Sequence, residues 1–127
     1  MIDLQASDLR SFVPAMDFSL SKDFYLALGF ELEWADENLA LFALANDRLY
    51  LQRHYAKEWA ENCMLHVSVQ DALDCFHKLT ELVASRRFPG VRVMPPKDEP
   101  YGALVTYVWD PSGVLIHLAQ WARPENI

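Results

Sequence analysis

The sequence predicts an α+β fold made of two successive βαβββ modules, and three observations carry that expectation. The order strand, helix, then three strands occurs twice, over about residues 9–54 and again over about 63–122. Val13-Pro14-Ala15-Met16-Asp17, before the first helical stretch, is matched by Val67-Ser68-Val69-Gln70-Asp71 before the second. Leu49-Tyr50-Leu51, late in the first copy, is matched by Ile116-His117-Leu118 late in the second. One domain over 1–127 is expected, because 127 residues with 52% hydrophobic and 13% aromatic content can build one core.

Residues 1–8 read as a lead-in, and Leu9 to Met16 as a strand whose Pro14 suggests an edge or a bulge. Asp17 or Ser19 caps a helix carrying Leu20, Phe24 and Leu28, which Gly29 ends. Phe30 to Trp34 alternates as a strand, and two more strands, Asn38 to Leu44 and Arg48 to Gln52, flank the turn Ala45-Asn46-Asp47. A polar connector, Tyr55 to Asn62, separates the modules. Met64 to Val69 restarts the pattern, and Asp71 caps a helix with Leu73, Phe76, Leu79 and Val83 on one face. Val91 to Met94 is a short strand before the stiff Pro95-Pro96. Ala103 to Trp109 and Val114 to Gln120 form a hairpin around Asp110-Pro111-Ser112-Gly113, where Pro111 presets φ and Gly113 accepts conformations other residues avoid.

A net charge of −7 argues against a nucleic-acid or anionic-membrane partner and permits a cationic ligand. Cys63 and Cys75 have no metal-finger or C-x-x-C spacing. No signal-like start and no membrane-length apolar run is present, so a cytoplasmic protein is expected. Serine elbows, phosphate-cradling loops and dinucleotide fingerprints are missing as well.

Strand alternation sorts the side chains into two faces. The more uniformly apolar set, Leu49, Leu51, Leu65, Val67, Val69, Ile116 and Leu118, is assigned to the helices, with Thr106 and Val108. The other face then carries Tyr50, His66, Tyr107, Trp109 and His117, with Arg10, Phe12 and Phe42 in equivalent places of the first module. An apolar wall with a few polar groups fits a small-molecule pocket and fits a dimer interface equally. Trp59 and Tyr101 are candidates to cover a cavity mouth, and Trp34 is expected to pack locally.

Over nearly its whole length the chain resembles the glyoxalase/bleomycin-resistance/dioxygenase (vicinal-oxygen-chelate) superfamily. The resemblance rests on Val13-Pro14-Ala15-Met16-Asp17, on Phe24-Tyr25-Leu26-Ala27-Leu28-Gly29-Phe30, and on Asp110-Pro111-Ser112-Gly113-Val114-Leu115-Ile116-His117-Leu118. It implies curved mixed sheets around a cavity, often completed by a second subunit. Metal-dependent members hold an ion with one residue on each of four strands, and those positions here are Arg10, Tyr50, Met64 and His117. Arg10 repels a cation, and Tyr50 and Met64 are poor ligands for hard divalent ions, so no metal or other cofactor is expected. Glu99-Pro100-Tyr101-Gly102 is similar to a segment of the bleomycin-resistance branch, which sequesters a ligand. The expectation is a metal-independent homodimer binding an aromatic or cationic small molecule through Phe42, Tyr50, His66, Tyr101, Tyr107, Trp109 and His117. The alternative is a divergent metal-dependent lyase or dioxygenase using His66 and His117.

Overall fold

Each half of the chain forms its own four-stranded sheet, and the two sheets have the same strand order. The computed structural model describes residues 1–122. Its elements are β1 (Ser11–Ala15), α1 (Phe18–Ala27), β2 (Glu31–Ala35), β3 (Leu39–Leu44), β4 (Asp47–Arg53), α2 (Lys57–Asn62), β5 (Met64–Ser68), α3 (Ala72–Ala84), β6 (Arg92–Glu99), β7 (Ala103–Trp109) and β8 (Leu115–Trp121). The first sheet runs β1-β4-β3-β2 and the second β5-β8-β7-β6. In both, the first strand of the module lies parallel to the last, and the remaining pairs are antiparallel. The expected α+β architecture of two βαβββ modules is therefore observed. Residues 123–127 of the domain expected over 1–127 lie outside the described residues.

The helix starts follow from the aspartates. Asp17 Oδ1 accepts from the Leu20 N–H at 3.1 Å, and Asp71 Oδ1 from the Asp74 N–H at 3.0 Å, each satisfying a donor that the first helical turn leaves free. Gly29, at φ 101°, turns the chain out of α1. Pro14 sits on β1, an edge strand, as its missing N–H requires.

One core spans both modules on the helix-facing sides of the sheets. Phe24, Tyr25, Phe30 and Phe42 meet at ring-centroid distances between 5.2 and 6.3 Å, mostly edge to face. Val13 and Leu51 from the first sheet join Val108, Ile116 and Leu118 from the second in the same buried cluster. α1 and the residue leading into it make contacts between the modules. Phe24 packs against Phe88 at 5.4 Å, Tyr25 Oη donates to Asp110 Oδ2 at 2.8 Å, and the Met16 N–H donates to Ser112 Oγ at 2.9 Å.

The structure corrects four expectations. The connector holds a short helix, α2, which lacks a side-chain cap and buries Ala60. β6 does not stop before Pro95-Pro96 but continues to Glu99, with a register shift between Met94 and Lys97 that takes up the two residues lacking N–H donors. Leu73 of α3 is 49% exposed, because the buried stripe runs instead through Ala72, Cys75 and Leu79. β3 has the opposite phase to the one expected: Phe42 pairs with Leu49 and Ala40 with Leu51, so Phe42 belongs to the helix-facing side.

Candidate functional site

Strand register gathers one set of side chains on the open face of the second sheet, the face away from the helices. His66 pairs with His117 across β5 and β8, Tyr107 pairs with His117 across β7 and β8, and Trp109 pairs with Leu115. Tyr101 stands in the turn just before β7 and is half exposed. A row of rings follows: Tyr107 to His117 at 4.8 Å, His117 to His66 at 6.5 Å, His66 to Trp121 at 5.7 Å, and Trp121 to Tyr101 at 5.8 Å. Trp109 lies to one side, with the Arg92 guanidinium 4.3 Å from its ring centre.

The open face of the first sheet carries a second group. Phe12 stacks on Tyr50 at 5.0 Å, and Arg10 Nη1 donates to Tyr50 Oη at 2.9 Å while its guanidinium also lies over the Tyr50 ring. Leu41 faces the same way, opposite Tyr50, and Trp34 pairs with Leu41 across β2 and β3. Phe12 remains 47% exposed despite its size.

Of the seven residues singled out in the sequence, His66, Tyr101, Tyr107, Trp109 and His117 thus share the second sheet, and Tyr50 stands on the first. Phe42 joins neither group. It is 0% exposed, packed against Tyr25 and Phe30 in the core, because its neighbours Leu41 and Ala43 take the open face. Sequence reasoning misses two residues of the site: Leu41, through the phase of β3, and Trp121, which continues the alternation His117, Ala119, Trp121 one residue beyond the strand end expected at Gln120. Trp59 packs 5.9 Å from His54 beside α2.

The electrostatics of the second face centre on His117 and Tyr107. His117 Nε2 is buried without a hydrogen-bond partner among the described residues. Burial lowers the pKa of this ring, His66 lowers it further, and Glu99 opposes them, so the balance favours the neutral imidazole. Tyr107 Oη donates to Glu99 Oε1 at 2.9 Å, and burial together with that bond pushes its pKa well up. The face can therefore stack on a flat group and offer one imidazole nitrogen for a hydrogen bond.

Other chemistries find less to work with. Burial raises both Cys63 and Cys75 thiols, which disfavours the thiolate a nucleophile needs. The donor set at the four strand positions does not fit a divalent ion: Arg10 is cationic and bonded to Tyr50, and Met64 offers a thioether. Among the described residues no three His, Cys, Asp or Glu side chains stand close enough to share a metal. A cleft of about 640 Å³ opens elsewhere, at the junction of the modules, bordered by Phe30, Phe42, Leu49, Leu65, Val67 and the rim residue His66. His66 is thus shared between the cleft and the open face. No helix among the described residues is long and apolar enough to cross a membrane.

No family model matches the chain, and no curated protein matches it in sequence. Solved structures do. TnmS3, an antibiotic-binding protein from Streptomyces sp. CB03234, superposes with a TM-score of 0.74 at 25% identity, over 94% of this chain and 100% of that one. The bleomycin-binding protein of bleomycin-producing Streptomyces verticillus, complexed with copper(II)-bleomycin, gives 0.70 at 23% identity, over 94% and 98%. Lactoylglutathione lyase from Agrobacterium tumefaciens gives 0.67 at 15% identity, over 93% and 96%. These are the kinds of neighbour that a vicinal-oxygen-chelate fold of the bleomycin-resistance form implies.

Proposed function

We propose that this chain sequesters an aromatic or cationic small molecule, without a metal, in the pockets of a homodimer. The observation that carries this reading is the row of rings on the second sheet, which includes a buried imidazole nitrogen with no partner among the described residues. In a single chain both that row and the Phe12–Tyr50 stack lie on open faces, and closing them against a second copy would remove apolar surface from water. Tyr101, Tyr107 and Trp109 then serve as stacking walls, while Tyr50, His66 and His117 supply hydrogen bonds. The antibiotic-binding neighbours and the net charge of −7 support a ligand of this kind.

Titration calorimetry with bleomycin and a panel of planar cationic compounds tests the reading. Heat of binding with at least one of them, reduced in His117→Ala, is the expected result. No heat with any compound removes the sequestration assignment. The adjacency of His66 and His117, ring centres 6.5 Å apart, favours a second reading as a metal-dependent lyase or dioxygenase. Protein purified without chelator and assayed for bound metal decides between them: a metal bound in wild type and lost in His66→Ala replaces the first reading with the second.

A further inference from the structure

Among the described residues, Glu99 is the one carboxylate on the ring-lined face, and it stands at that face's end. It closes β6 opposite Ala103, which in turn pairs with Trp121, so the three share a row across the sheet. The Glu99 side chain is only 14% exposed. Its Oε1 accepts from Tyr107 Oη at 2.9 Å and lies 3.7 Å from Lys97 Nζ, while Oε2 enters no hydrogen bond or ion pair among the described residues. Tyr107 and Trp121 pack over a floor of small side chains, Ala103, Val105 and Ala119. Beside them a cavity of about 240 Å³ is bordered by Glu99, Asp98, Gln120 and Trp121.

A mostly buried carboxylate whose second oxygen meets no protein donor among the described residues leaves that oxygen open to a cation entering beside it. Lys97 is a poor counter-charge, since it is 70% exposed and approaches the oxygen already taken by Tyr107. The rings nearby, Tyr101 and Trp121 at 5.8 Å and 49°, offer π-faces that attract cations. The geometry points to an ammonium-type subsite, in which Glu99 Oε2 accepts from a cationic N–H of a planar ligand whose rings lie along the row toward His117. Tyr107 is the positioning residue, because its hydroxyl fixes the orientation of the carboxylate. This subsite rests on the sequestration reading and commits it to organic cations over neutral aromatics.

Fluorescence titration with two flat probes tests it: proflavine, which is cationic in mildly alkaline buffer, and acridine, which is neutral there. Wild type is expected to bind proflavine about tenfold or more tightly than acridine, as one charge-assisted hydrogen bond implies, and the preference is expected to shrink as salt rises. Glu99→Gln keeps an acceptor for Tyr107 and removes the charge, so it is expected to erase the preference while leaving acridine affinity unchanged. Equal binding of the two probes by wild type, or an equal loss of both in Glu99→Gln, overturns the ammonium subsite and leaves sequestration standing. Absence of binding by both probes in wild type overturns the subsite, and together with no calorimetric heat from bleomycin or the wider panel it overturns the sequestration reading as well.

Discussion

Asp110 holds the hairpin turn to the rest of the molecule from a position with no exposed surface. Its Oδ1 accepts from the Ser112 and Val114 N–H groups at 2.8 and 2.9 Å, and its Oδ2 from Tyr25 Oη. Burial raises its pKa and those bonds oppose the rise. Tyr25→Phe leaves a buried carboxylate oxygen unpaired, and a loss of about 1–3 kcal/mol is expected in urea denaturation. His117 shifts the other way. Its folded pKa lies below the ordinary histidine value, so the unfolded chain binds the extra proton first and stability falls as pH drops through that ordinary value. Above it both states are neutral and the contribution vanishes. Replacing His117 with Gln is expected to flatten the part of the melting-temperature profile on the acid side of neutrality and leave the alkaline side unchanged. The turn itself is legible in the sequence, because Asp-Pro-Ser-Gly is local chemistry. The Tyr25 partner is not, since nothing in either neighbourhood announces a bond between residues so far apart in sequence.

At the scale of elements, legibility follows how unequal the two faces of a strand are. β8 alternates aliphatic and other residues, and its two faces can be read from Ile116, His117 and Leu118 alone. β3, Leu39 to Leu44, is apolar at every position and at least half-buried throughout, so alternation carries no phase information and cannot place Phe42 on its true side. Only the pairing with β4, a long-range fact, fixes it. β6 outruns its expected end for a different reason: prolines argue against a strand, yet they are tolerated on an edge with a bulge. Two backbone positions give direct predictions. Gly113 has φ +97° and open space where a Cβ would stand, so Gly113→Ala costs only the backbone strain, about 1–3 kcal/mol by denaturation. Arg86, just past α3, has φ +59° and an exposed side chain, so Arg86→Gly is expected to raise stability by up to about 1 kcal/mol.

For the whole molecule, the repeat makes the architecture legible, since two copies of one element order specify two like sheets. How the modules pack is not legible: it depends on α1 meeting the β7–β8 turn, and the cleft at their junction follows from that. If two copies close their open faces together, Phe12→Glu places a charge in that contact, and sedimentation velocity is expected to show a dimer in wild type and a monomer in the variant. The sheet edges bear on what happens beyond such a pair. β2 and β6 are edge strands of the two sheets, as are β1 and β5. β2 presents Glu31 and Glu33, and β6 carries the Pro95-Pro96 bulge, so one edge is guarded by charge and the other by missing donors. On these two edges a further strand meets like charge or a gap in the ladder. Replacing Pro95 and Pro96 with valine and threonine restores two N–H groups to an edge, and thioflavin-positive fibrils on prolonged incubation are the expected outcome. The two prolines that break the sequence pattern then act, on the β6 edge, as a stop against polymerisation.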